Sequence, residues 1–183
     1  MSPPVIWPRM APRPGWTLFR LGALWVLLLL SWSSRADVYD DVERAIANQQ
    51  WDSAQALAQE RLLGHSRDPQ MRLLLSRIQA GRNQTDEAIQ TLLLLTQDFP
   101  ELPEPHNNLA VLYARAERFD EARAALLAAL RARPDYATAL ENLGDLHLVE
   151  AREAYRRALQ AAPALPALVK KSQAVQAILP DRP

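Results

Sequence analysis

The sequence predicts an all-α fold: a right-handed α–α superhelix (solenoid) of about 3.5 helical hairpin units closed by a C-terminal helix. Three observations lead to it. First, the chain repeats every 34 residues: Trp51, Thr85 and Phe119 recur at one register, Asp52, Asp86 and Asp120 at the next, and Ala54, Ala88 and Ala122 two further on. Second, apolar residues within each half of a repeat fall at three-four spacing, which places them on one helical face. Third, Pro100 and Pro134, with Ser66 as their equivalent, stand where a helix must stop, because proline lacks the N–H and its ring clashes with the preceding turn.

Residues 1–36 read as a leader and not as part of the fold. They open with a proline-rich stretch carrying Arg9, Arg13 and Arg20, continue with an apolar run from Leu21 to Trp32, and end in Ser34-Arg35-Ala36. Small residues at −3 and −1 complete the three-part pattern of a secretory signal peptide, with cleavage expected after Ala36. The competing reading is an uncleaved anchor, but the run is shorter than the roughly 20 residues of a spanning helix. A start at Met10 would shorten the leader and leave the pattern intact. Cleavage places the body in the periplasm of a bacterium with two membranes; an uncleaved leader would anchor it to the inner membrane instead.

The body divides into an array over residues 37–163, with units at about 35–68, 69–102, 103–136 and 137–163, and a capping helix and tail over 164–183. In the third unit Leu109, Leu112 and Tyr113 share one helical face, and Ala122, Leu126, Ala129 and Leu130 another. Glu117-Arg118-Phe119-Asp120 is expected to make the turn between them, with Asp120 capping the second helix. This unit resembles a tetratricopeptide repeat. Leu109, Ala110, Tyr113, Ala122, Leu126, Ala129 and Pro134 all match that family's favoured residues at their positions. The second unit keeps Leu75, Ser76, Ala88, Leu92 and Pro100, and departs at Gln79 and Leu95. The first keeps the Trp51-Asp52 turn and Ala54, and its Asp41 suits an end unit with one wet side.

The fourth unit departs most. Ala151, Tyr155, Ala158 and Pro163 match their counterparts only if five residues, positions 15–19 of the repeat, are missing. Those five would have made the turn. One long helix from about Thr138 to Ala162 is therefore expected in place of a hairpin. Beyond it, Leu168, Val169, Val175, Ile178 and Leu179 form the apolar stripe of a closing helix.

Composition narrows the function. The 183 residues include no cysteine, which excludes disulfides, thiolate metal sites and cysteine nucleophiles. The chain is formally neutral, and since the leader holds Arg9, Arg13, Arg20 and Arg35 and no acid, the body carries a net charge of −4. Such a body is a poor nucleic-acid binder. His147 takes the place of Tyr113 one repeat on and is expected to pack; His106 is expected to pack or lie at a rim, and His65 falls in a loop. No nucleophile, base and orienting group converge, so neither catalysis, nor a small-molecule substrate, nor a metal or other cofactor is expected.

What the resemblance implies is binding. In that family the first helix of each pair lines a concave groove, and the positions facing it fall here on Arg77, Asn107, Asn108, Val111, Arg115, Glu141, Asn142 and Asp145. Side-chain amides at Asn108 and Asn142, equivalent in the repeat, could pair with an extended peptide backbone. The lysines of the family's carboxylate clamp are replaced by Leu73 and by Glu104 or Thr138, so recognition of a C-terminal carboxylate is not implied. The expectation is a non-catalytic adaptor of the bacterial cell envelope that holds a protein or peptide partner, touching the membrane only through an uncleaved leader. The alternatives are an envelope subunit that self-associates and a membrane-anchored form of the same protein.

Overall fold

The computed structural model describes residues 38–179; the expected leader and the last four residues lie outside the described residues. Eight helices follow one another: α1 (38–47), α2 (Trp51–Gly64), α3 (Pro69–Gly81), α4 (Thr85–Asp98), α5 (Pro103–Arg115), α6 (Phe119–Ala132), α7 (Ala137–Ala161) and α8 (Pro166–Ile178). The helix starts at Trp51, Thr85 and Phe119, and those at Pro69, Pro103 and Ala137, keep the 34-residue spacing to the residue. Prolines open α3, α5 and α8, where a missing N–H costs nothing and the fixed φ already suits a helix.

What turns the chain back is the same device three times. Gln49, Asn83 and Glu117 take φ values of 56°, 61° and 59°. They occupy one register of the repeat, just past the ends of α1, α3 and α5. The next N–H reaches back to close each helix: Gln50 to Ala45 at 2.8 Å, Gln84 to Gln79 at 2.9 Å, Arg118 to Tyr113 at 2.9 Å. A second bond joins Gln49 to Ile46, Asn83 to Ala80 and Glu117 to Ala114. This pair of bonds, with a left-handed residue at its centre, satisfies carbonyls that the helix end would otherwise leave open. The turn therefore lies at 116–118, earlier than expected from the sequence. Asp120 does not cap α6. Arg118 occupies the cap position without a side-chain bond, and Asp120 sits inside the first turn, where its charge meets the positive end of the helix dipole. Only α3 has a side-chain cap among the described helices α2 to α8: Asp68 accepts from the Met71 N–H at 3.1 Å. Burial works against the charge of Asp68. The Tyr39 hydroxyl, the Met71 N–H and Arg61 outweigh it and hold the carboxyl below the usual range.

The reversals bring the two helices of each unit face to face. Val42, Ser76 and Ala110 share position 8 and are all buried, as are Ala54, Ala88 and Ala122 at position 20 and Ala58, Leu92 and Leu126 at position 24. Small residues at positions 8 and 20 let each hairpin close tightly. Met71, Ile78, Leu112, Ala139 and Leu146 face the neighbouring unit instead and are buried there. Two apolar clusters result, one over α1–α3 and one running from α4 to α7.

The fourth unit has no reversal. α7 runs unbroken from Ala137 to Ala161, within a residue of the helix that the missing turn predicts. The deletion removes the register at which Gln49, Asn83 and Glu117 turn left-handed. His147 consequently does not pack. Its side chain is 57% exposed and meets Glu150 at 3.4 Å, because the second helix that covers Tyr113 in the unit before is not folded back over it. α8 returns along α7 and buries no residue fully.

The left-handed residues carry a cost that glycine would remove. Replacing Glu117 by Gly is expected to stabilise the fold by about 1 kcal/mol, since a side chain in this conformation costs roughly 1–2 kcal/mol and glycine's added chain entropy offsets part of that. Asn83→Gly should gain less, because asparagine tolerates the left-handed region. Urea unfolding of both variants beside the parent reads the difference; an unchanged midpoint in Glu117→Gly would contradict this account of the turn.

Candidate peptide-binding groove

The odd-numbered helices line one face of the array, and two clefts open along it. The first, of about 360 Å³, lies between α3 and α5, with Arg77, Asn108, Val111 and Arg115 in its wall and Ile46 and Trp51 at one end. The second, of about 550 Å³, lies between α5 and α7 and takes in Val111, Arg115, Asn142 and Asp145. Val111 and Arg115 stand in both, one helical turn apart on α5, so the clefts share a wall.

Six of the eight expected groove residues thus line this face. The other two do not. Glu141 is exposed one residue before Asn142 but belongs to neither cleft. Asn107 is only 4% exposed and lies within the structure. Its side-chain oxygen accepts a hydrogen bond from the Asn142 amide at 2.8 Å. The next unit covers position 5 at this point, so Asn107 serves to seat α7 on α5 and is not free to meet a ligand. Asn142 keeps a second N–H and its carbonyl oxygen for the cleft. Asn108 has no bonding partner among the described residues and lines the first cleft.

The charges differ along the groove. Arg77 and Arg115 are exposed and meet no carboxylate among the described residues; Asp145, on α7, meets no cation. Glu104, which could have offset the arginines, is drawn away to Arg133 at 3.2 Å. The face is therefore basic at α3 and α5 and mixed at α7, where Asp145 and Arg152 line the same cleft. The one hydroxyl in the lining, that of Ser76, is buried and donates to the Leu73 carbonyl at 2.7 Å, which occupies its proton. His106 lies off the groove, half-buried. Burial lowers its pKa and the nearby Arg131 adds to that, while its ring nitrogen lies 3.3 Å from the Pro100 carbonyl.

Trp51, Arg152 and Leu179 are among the lining residues that escape sequence reasoning. In sequence Trp51 is a turn residue, yet its ring lies across Gly81, where an added Cβ would stand 2.5 Å from it. The signal was present in the glycine opposite a tryptophan one hairpin away. Arg152 and Leu179 also line the second cleft. Arg152 follows Asp145 and Val149 at helical spacing, but it lies beyond the span of a repeat's first helix, to which the family resemblance confines the groove.

The tetratricopeptide repeat profile matches residues 39–103 and 107–166. The chain belongs to the tetratricopeptide repeat family. No curated protein sequence matches it. Among solved structures it resembles TTC0263, a thermophilic tetratricopeptide-repeat protein of Thermus thermophilus, at 19% identity and a TM-score of 0.57, over 88% of this chain and 94% of that one. It also resembles SycD, the type III secretion translocator chaperone of Yersinia enterocolitica, at 14% identity and a TM-score of 0.57, over 65% and 85%. A third likeness is to the Naa15/Naa10 complex bound to HypK, at 17% identity and a TM-score of 0.55; 78% of this chain spans 22% of the matched one. At these identities the likeness is one of fold.

Trp51 is the one tryptophan after residue 36, so in a chain without the leader its fluorescence reports the groove directly. Gly81→Ala is expected to push the ring off α3 toward water and shift its emission to the red. Stability should change by less than about 1 kcal/mol, because alanine's better helix propensity offsets the lost contact. An emission spectrum identical to the parent's would show that the ring does not rest on Gly81.

Proposed function

We propose that this tetratricopeptide-repeat chain is a non-catalytic adaptor of the bacterial cell envelope, which holds an extended segment of another protein along the groove of its odd-numbered helices. The observation that carries the reading is the shared wall of α5. Val111 and Arg115 face both clefts, so the two lie side by side across α5, an extent suited to a chain and not to a compact small molecule. The charge along the path favours a segment that is acidic where it crosses Arg77 and Arg115. Asn108, and the free half of Asn142, offer the paired donor and acceptor that an extended backbone presents. The tetratricopeptide repeat family to which the chain belongs is generally a protein-interaction repeat, which supports binding without chemistry.

The envelope setting rests on the leader pattern of residues 1–36. The Ser34-Arg35-Ala36 site predicts a mature chain beginning at Asp37, and intact-mass analysis of the protein recovered from cells reads it directly. A mass that includes Met1 or Met10 would remove the periplasmic assignment and leave an anchored protein.

Groove binding has its own test. A photo-crosslinking amino acid at Val111 is expected to capture a protein partner in intact cells, and one at Gln90, exposed on α4, is not. Adding Arg115→Glu should reduce the Val111 product at least about tenfold, which corresponds to losing one charge-assisted contact of about 1.4 kcal/mol or more. Equal capture from both positions, or capture indifferent to Arg115→Glu, would count against the groove.

A further inference from the structure

The fourth unit makes its contact with the third and lacks its contact with itself. Ala139 and Leu146 are buried against α5 and α6 as their equivalents are elsewhere. The other face of α7, which a second helix would cover, is bare. Position 8 is buried at Val42, Ser76 and Ala110, but its fourth occupant, Gly144, is exposed, and a Cβ built there would meet nothing within 4 Å. Leu140 is 51% exposed on the same half of the helix.

The complementary surface is on this chain too, out of reach. Ala151, Ala154, Tyr155 and Ala158 repeat the pattern of Ala122, Ala125, Leu126 and Ala129, the face of α6 that closes on α5. None of the four is buried. Gly144 and Ala158 are 14 residues apart on one unbroken helix, about 21 Å at 1.5 Å per residue, so they cannot meet within a single copy.

We propose that a second copy of the chain supplies the missing contact. Two molecules exchange the C-terminal half of α7 together with α8, and each completes the fourth repeat of the other across a two-fold axis near Val149 and Glu150. Deleting the turn of a hairpin is the change that converts an internal contact into an exchanged one. Charge supports the antiparallel pairing this requires. The first part of α7, to Glu150, carries Glu141, Asp145 and Glu150, the last paired with Arg123, and no Lys or Arg; the remainder carries Arg152, Arg156 and Arg157 against Glu153, which Arg156 holds. Two such helices laid antiparallel set the acidic half of each along the basic half of the other. α8 travels with the exchanged segment and remains packed on it.

Sedimentation equilibrium on the protein as recovered from cells is expected to give the mass of two chains. Inserting a copy of residues 117–121 between Glu150 and Ala151 restores the missing turn and should return the mass of one chain with the helical content kept. A parent that sediments as one chain, or a dimer that survives the insertion, overturns the proposal, and the bare face would then belong to a different protein. A second variant covers the case in which the insertion fails to fold. Since the chain has no cysteine, Gly144→Cys with Tyr155→Cys, which stand opposite each other across an axis at Val149 and Glu150 but about 16 Å apart within one helix, has one way to form a disulfide, between copies. Oxidation should give a covalent dimer on a non-reducing gel; a product that stays entirely monomeric overturns the exchange. Groove capture at Val111 is read on separate variants, so failure of either idea is seen independently of the other.

Discussion

The structure depends on one backbone conformation used three times. Gln49, Asn83 and Glu117 each turn left-handed just after a helix end, and each lets the chain fold back so that the two helices of a unit meet. A tetratricopeptide repeat cannot bury its apolar face by itself, and its short helices are marginal outside the stack. The tight approach of position 8 to positions 20 and 24 therefore follows from the reversal and would be lost with it. That a non-glycine side chain is held in this conformation three times shows how firmly the flanking helix contacts determine it.

The fourth unit shows the same dependence by its failure. Its apolar pattern is as good as that of the third, with alanines and large residues in equivalent places. Pattern alone did not make a hairpin. With the left-handed register deleted, the preferred continuation of an uninterrupted run from Asp145 to Ala162 is more helix, and the same side chains that form a core in one unit are left at the surface in the next. Periodicity decides which face is apolar; the turn decides what that face can touch.

This separates what was legible in the sequence from what was not. Helix number, order and length followed from the 34-residue spacing, and the long α7 from the five missing residues, because both are properties of one chain read along its length. The departures concern contacts between elements. His147 was expected to pack because Tyr113 does, but packing needs the helix opposite. Asn107 belongs to the groove by its repeat position, and the neighbouring unit's Asn142 reaches over and closes it off. Asp120 looks like a cap because it begins an apolar run, while the true cap lies two residues earlier and is set by the backbone bond from Arg118 to Tyr113. Trp51 on Gly81 is of the same kind: two unremarkable residues in sequence that shape one wall of a cleft in space.

The groove and the end of the array are linked through α7. Its first half lines the second cleft with Asn142 and Asp145, and its Arg152, with Leu179 after α8, closes the far side. The first cleft, between α3 and α5, is built from units whose hairpins are complete and owes nothing to α7. An exchange of the C-terminal segment would therefore leave Arg77, Asn108 and Trp51 as they are and rebuild the α7 end with side chains from two molecules, bringing two grooves together at the two-fold axis. Bivalent presentation of that kind raises the hold on a partner with two matching segments without any new contact in either groove. The basic cleft would then supply recognition, and the missing turn would supply avidity.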